Sequence, residues 1–338
     1  MLNIPDYPID QDITIEPQDT WPGSVHLFRP DTVAALRAAE ATGRPLLVRG
    51  LPGVGKSETA RAAAAFAKRP FLSLVIDGRT EPDDLKWRVD AVKRLSDAQA
   101  HRALDERHYV RPDVLWWAFD WKDALEQERR ARGDSAPERP RPAKWQVGQD
   151  RAVLLIDEID KADPDLPNAL LEVLANRGFT PPFADAQPVC CSEATRPLIL
   201  ITTNEERELP AAFLRRCLVL TLELPKGPAL RRELIRLAQR HQEHRVVLHG
   251  RQPAAVPQGG GRCLILDAVA DEFLRLRASV QAGDYMPGTS EFLDLVNALA
   301  TLYPDDEARQ KQALTTLSQF VWKSLRSASG EPSDADAP

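Results

Sequence analysis

Short apolar runs alternate with helix-period segments along the first two thirds of the chain. The runs are 45–50 (PLLVRG), 71–76 (FLSLVI), 152–156 (AVLLI), 198–202 (LILIT) and 218–222 (LVLTL). They are too short for helices, and they lack the in/out alternation of a strand with one wet face. They therefore read as strands covered on both sides. Between them lie helical segments at 31–41, 56–67, 166–176 and 210–216. In the first, Asp31 can cap the start, and Val33, Leu36 and Ala39 share one face. This alternation predicts an α/β core, a five-stranded parallel sheet with helices on both faces. After Pro225 the period changes. Segments 228–247, 267–281, 289–302 and 305–326 are all helical in spacing with no strand run among them. A boundary near 225 is expected, with a core over 25–225 and a small all-α domain over 226–326.

The connections add detail. Residues 1–24 are rich in Pro and Asp and read as an extended arm. Segment 82–130 reads as largely helical, and its aromatics Trp116, Trp117, Phe119 and Trp121 read as core. The charged, Pro-rich stretch 132–146 predicts a mobile loop, 251–261 a flexible connection, and the tail 327–338 is disordered by composition. A net charge of −6 provides no global basic field for nucleic acid or membrane, and the Arg-rich stretches at 129–141 and 231–251 read as solvated faces. The four cysteines include no CxxC pair, so reduced thiols and a cytoplasmic setting are expected. The first residues have no basic and apolar leader pattern, and no 18-residue apolar window exists, so neither a signal peptide nor a membrane span is expected. The histidines show no metal-ligand spacing.

The chemistry starts at the turn after the first core strand. Residues Gly50, Leu51, Pro52, Gly53, Val54, Gly55, Lys56 and Ser57 match GxxxxGK[ST], set between a buried strand and a helix. Glycines let several backbone N–H groups face one anion, and the helix beginning near Lys56 adds its positive end. Lys56 supplies a point charge to the β- and γ-phosphates, Ser57 offers a hydroxyl to Mg²⁺, and Glu58 follows in the first turn. Gly50, Pro52, Gly53, Val54, Gly55, Lys56, Ser57 and Glu58 are therefore the expected nucleotide-binding residues.

A second signal follows the strand 152–156, which ends in Asp157 and Glu158. Open α/β sheets bind ligands at this edge. Asp157 is suited to the Mg²⁺ shell together with Ser57, and Glu158 to polarising an attacking water. The two signals reinforce each other, because both belong at one sheet edge.

With these motifs in place the chain resembles the AAA+ family. Residues 50–57 resemble its Walker A motif and LLIDEIDKAD (154–163) its Walker B motif. LILITTN ends in Asn204 at the sensor 1 position, on a strand that in that fold lies between the other two motif strands. ELPAAFLRRC (208–217) resembles the segment carrying the arginine finger, with Arg215 and Arg216 both candidates and Arg216 preferred. GRPLLVRGLPGVGKSETARAAA, LLIDEIDKADPDLPNALLEVLANRGF and ITTNEERELPAAFLRRC are most similar to the MoxR-like group. The resemblance spans residues 25–302, closely in the core and weakly in the lid. It implies ATP and Mg²⁺ as cofactors, ATP hydrolysis, and a ring homo-oligomer, usually a hexamer. It also implies remodelling of a protein partner that often carries a von Willebrand A-type domain. The same group places a hairpin within 177–197, where Phe179 and Phe183 read as buried packing.

One departure bears on mechanism. MPGTSEFLDLVNAL (286–299) resembles the sensor 2 helix, yet its start offers Met286, Thr289 and Ser290 and no Lys or Arg; Arg275 or Arg277 are the alternatives. Two other functions therefore stay open. One is a nucleotide-gated assembly switch in a bacterial conflict or defence system. The other is a nucleic-acid-linked NTPase motor, which the negative charge disfavours.

Overall fold

The computed structural model describes residues 4–18, 20–133, 139–142, 145, 151–243, 261–280 and 286–322. The tail 327–338 and most of the segments 132–146 and 251–261 lie outside the described residues. Contacts divide the chain into two units. One holds residues 1–50 and 56–222, the other Leu51–Gly55 and 223–338.

In the first unit, Asp12–Ile15 (β1) pairs antiparallel with Ser24–Leu27 (β2). Pro30–Thr42 (α1) then leads to Leu46–Arg49 (β3), Lys56–Ala67 (α2) and Phe71–Val75 (β4). Trp87–Val89 (β5), Ala91–Gln99 (α3), Val110–Pro112 (β6), Val114–Phe119 (α4) and Trp121–Arg132 (α5) follow. The remainder is Val153–Asp157 (β7), Asp165–Asn176 (α6), Gly178–Phe179 (β8), Val189–Cys190 (β9), Leu198–Thr203 (β10), Ala211–Arg216 (α7) and Leu218–Thr221 (β11).

Five of these strands form one parallel sheet in the order β11-β3-β10-β7-β4. Leu46, Leu47, Val48, Val153, Leu154, Leu155 and Ile156 are buried on both faces, as their continuous apolar runs require. Strand β10 lies between β3 and β7, with Thr203 level with Arg49 and Ile201 level with Ile156. That register brings the ends of the three strands that carry the motifs to one edge.

Two expectations need refinement. Segment 82–130 is largely helical, in α3, α4, α5 and two short 3₁₀ turns, but β5 and β6 add an antiparallel ribbon on either side of α3 in sequence. Each strand is only three residues long, so no period-two pattern could show it. The described part of the arm, 4–18 and 20–24, is extended in β1 and the start of β2, and it is docked on the fold: Tyr7, Ile13 and Ile15 are buried, and Ile13 and Ile15 alternate in β1. The aromatics do form core: Trp116, Trp117, Phe119 and Trp121 are all buried. Phe179, on the β8–β9 hairpin, packs on Trp87, Trp116 and Phe119 with ring centroids 5.5, 5.8 and 6.3 Å away.

The second unit contains Pro228–Glu243 (α8), Leu266–Ser279 (α9), Thr289–Leu302 (α10) and Glu307–Val321 (α11). Its core gathers Leu234, Phe273, Phe292, Leu295 and Trp322. Phe273 meets Phe292 and Trp322 edge to face. The carbonyl of Gly53 accepts from the amides of Thr289 and Ser290 at the start of α10, at 3.0 and 3.3 Å. Of the two sensor 2 alternatives, Arg275 pairs with Glu272, and Arg277 donates to the carbonyl of Pro287.

A buried charge cluster locks the far end of α1 in the first unit. The Glu40 carboxylate is fully shielded and meets Arg69 at 2.5 Å and Arg151 at 2.7 Å. The Tyr7 hydroxyl donates to it at 3.1 Å, and Arg196 donates to the Glu40 carbonyl at 3.0 Å. Burial, then the Glu40 charge, pushes the Tyr7 hydroxyl well above the usual tyrosine range, while burial lowers the pKa of Arg151. Removing one partner from such a cluster leaves buried charge uncompensated. Glu40→Ala is expected to cost about 3–5 kcal/mol, read as a lower urea midpoint; a midpoint equal to wild type would show that the arginines do not depend on Glu40.

Candidate active site

Lys56 opens α2, and its side chain turns back toward the tip of β3. Its Nζ donates to the Gly50 carbonyl at 2.7 Å and to Asn204 Oδ1 at 2.7 Å. Gly53 and Gly55 have φ of 72° and 94°, left-handed values that a side chain would strain. Only 7% of Lys56 is exposed. Burial lowers its pKa, and Asp157, Asp160, Glu158 and Glu205 oppose that shift. A shielded ammonium held by two neutral oxygens, with carboxylates close by, is arranged to receive an anion.

Ser57, the next residue of α2, donates to the Asp157 carboxylate at 2.9 and 3.1 Å. Thr202 on β10 also donates to Asp157 Oδ1. The same hydroxyl accepts from the Glu158 amide at 2.9 Å. Glu158 has φ 60° and ψ 46°, a left-handed backbone at the point where β7 ends. Its carboxylate meets Lys161 Nζ at 2.7 Å. That bond raises the pKa of Lys161.

Lys56 with Asn204 and Ser57 with Asp157 are thus two directly hydrogen-bonded pairs at one sheet edge, and Thr202 links Asp157 to Glu158. Glu58 differs: its carboxylate is taken by Ser24 and by Arg61, the latter at 2.6 Å, so its backbone is what it offers a ligand. Gly53 belongs to the segment Leu51–Gly55, as do Pro52, Val54 and Gly55, and its contacts are those with α10 given above.

Arg215 and Arg216 end α7 and are exposed. Arg216 bends back to the Ala212 carbonyl at 3.4 Å, while Arg215 makes no side-chain hydrogen bond or ion pair among the described residues. Neither joins the Lys56–Asp157 group. The guanidinium of Arg44 binds the carbonyls of Arg215, Arg216 and Cys217 at 2.5, 3.1 and 3.0 Å, which fixes the helix end.

The oxygen donors of Ser57 and Asp157 suit a hard divalent cation. Among the described residues, no group of three or more His, Cys, Asp or Glu forms a metal cage. Mg²⁺ fits such a pair, because it keeps waters and takes the rest of its shell from phosphate.

The sequence reading missed Thr202, Asp160, Lys161 and Arg44. Thr202 and Asp160 left traces: a hydroxyl closing an apolar strand, and a third acid two residues after Glu158. Lys161 and Arg44 left none, since a surface cation has no pattern of its own.

A search of curated proteins finds no match for this chain. A family model described as AAA domain (dynein-related subfamily) matches residues 45–217. The match runs from the start of β3 past α7, through the phosphate loop, the acidic strand end, Asn204 and both arginines. It takes in just over half of the 338 residues. The chain therefore belongs to the AAA domain family, in its dynein-related subfamily.

Proposed function

We propose that this chain is a Mg²⁺-dependent ATP hydrolase of MoxR-like type that assembles as a ring, a hexamer by resemblance, and uses ATP to remodel or activate a protein partner. A partner with a von Willebrand A-type domain is part of that reading, as is a cytoplasmic setting. The observation that carries it is the contact of Lys56 with Asn204 and of Ser57 with Asp157 at one edge of a parallel sheet. Family membership supports ATP as the nucleotide.

In this reading the Lys56 ammonium exchanges the Gly50 and Asn204 oxygens for phosphate oxygens. Ser57 and Asp157 would hold Mg²⁺, whose charge would offset that of the phosphates. Glu158 accepts the proton of the attacking water once its carboxylate leaves Lys161, and Asn204 orients that water. Arg215 or Arg216, exposed at the end of α7, reaches the nucleotide of a neighbouring copy and stabilises charge in the transition state.

Two features favour a second reading, a nucleotide-gated assembly switch with slow hydrolysis. Lys161 holds Glu158, and the start of α10 carries no Lys or Arg. Single-turnover hydrolysis by the assembled protein separates the two readings. A nucleic-acid-linked motor remains the weakest alternative, and salt-sensitive stimulation of ATPase activity by DNA or RNA would promote it.

Lys56→Ala is expected to abolish ATP binding in calorimetry, and retained affinity would remove the phosphate-loop assignment. Glu158→Gln is expected to bind ATP while turnover falls by roughly 10²–10⁴-fold; normal turnover would mean that another base acts. Arg215→Ala and Arg216→Ala subunits are each to be mixed with Lys56→Ala subunits. Activity recovered in the mixture identifies a finger acting between copies, and no recovery in either verified mixed assembly would count against both arginines.

A further inference from the structure

We infer that Asp160 is a positioning residue that fixes the backbone of Asn204, and so the place of its side chain at the sheet edge beside Lys56, by binding the amides just beyond β10. This rests on the reading of Asn204 proposed above. Asp160 lies in the short 3₁₀ turn Ile159–Lys161 and is only 2% exposed. Its Oδ2 accepts from the Asn204 amide at 3.1 Å and from the Glu206 amide at 3.0 Å.

The sheet does not hold this stretch. Strand β10 ends at Thr203, and Glu205 then takes a left-handed φ of 62°. Side chains satisfy the three successive amides instead. Asp160 takes the first and third, and Thr203 Oγ1 takes the second at 2.9 Å. Asn204 Oδ1 in turn accepts from Lys56. A line of contacts therefore runs from the turn after Glu158, through the backbone of Asn204, to the ammonium of the phosphate loop. Thr202 ties the same two strands together on the other side of Asn204, through Asp157 and the Glu158 amide.

Asp160 Oδ1 is buried with no hydrogen-bond partner. That arrangement costs stability.

The test uses the full chain with Asp160→Ala, Asp160→Asn, Asn204→Ala and the Asp160→Ala/Asn204→Ala double variant. Asp160→Ala is expected to lower kcat about ten-fold or more, with KM for ATP changed less than about three-fold, because a small misplacement near reacting atoms acts on turnover. In the Asn204→Ala background, Asp160→Ala is expected to cost no more than about two-fold further. Hydrogen exchange read by mass spectrometry is expected to speed up across residues 204–206 in Asp160→Ala.

Additive losses, unchanged exchange, or an effect on KM alone would overturn the inference. Should the alanine variant not fold, Asp160→Asn decides. Its carboxamide oxygen still serves the two amides, so kcat and KM within about three-fold of wild type are expected. A ten-fold rise in KM at constant kcat would instead show Asp160 acting by charge on Lys56, which overturns positioning. If Asn204→Ala is impaired while Asp160→Ala is not, this inference alone fails. If Asn204→Ala turns over ATP normally, the role given to Asn204 fails and this inference falls with it.

Discussion

The site is built around a buried lysine with four acids close by. Burial alone would drive Lys56 toward its neutral form, and the carboxylates of Asp157, Asp160, Glu158 and Glu205 oppose that. Because β10 separates β3 from β7, the acids at the end of β7 lie one strand away from the loop that follows β3. Asn204 at the end of β10 occupies the space between. Lys56 is bonded to Asn204 rather than to a carboxylate. A direct ion pair would compete with phosphate far more strongly than a carboxamide does.

Strain at Glu158 belongs to the same design. A left-handed backbone at a non-glycine residue costs on the order of 1–3 kcal/mol. Its amide is held by Thr202, whose hydroxyl also serves Asp157. One side chain on β10 thus sets the carboxylate that would hold the metal and the backbone of the carboxylate that would serve the water. Lys161 then restrains the free end of Glu158. A surface pair of this kind contributes little to stability, so it can be exchanged for other contacts at small cost.

Legibility followed the range of the interactions. Strands such as Val153–Asp157 and Leu198–Thr203 were readable because burial on both faces forces unbroken apolar runs. The phosphate loop was readable because its chemistry is contained in eight consecutive residues. The ribbon of Trp87–Val89 with Val110–Pro112 was not, because its pairing partners are more than twenty positions apart and each strand is too short for a period. Ile13 and Ile15 did carry an alternation, but it was short and set among Pro and Asp. Thr202 and Asp160 act across strands, so their partners depend on a register that composition cannot supply. Glu58 shows a contact that the motif hides. Its place in the motif suggested a ligand contact, yet Ser24, brought close by the β1–β2 hairpin, and Arg61 one turn along α2 take its carboxylate.

The two terminal arginines of α7 show how far geometry separates residues that sequence leaves equal. Both sit at the carboxyl end of a six-residue helix, where the dipole favours cations. Arg44 supplies the cation that end requires, since its guanidinium binds three successive carbonyls there. Neither Arg215 nor Arg216 is then needed to cap its own helix. Arg216 nevertheless folds back on Ala212 and would have to give up that bond to extend, whereas Arg215 has none to break. In the proposed ring, extending Arg215 would cost side-chain entropy alone, whereas extending Arg216 would also give up its bond to Ala212.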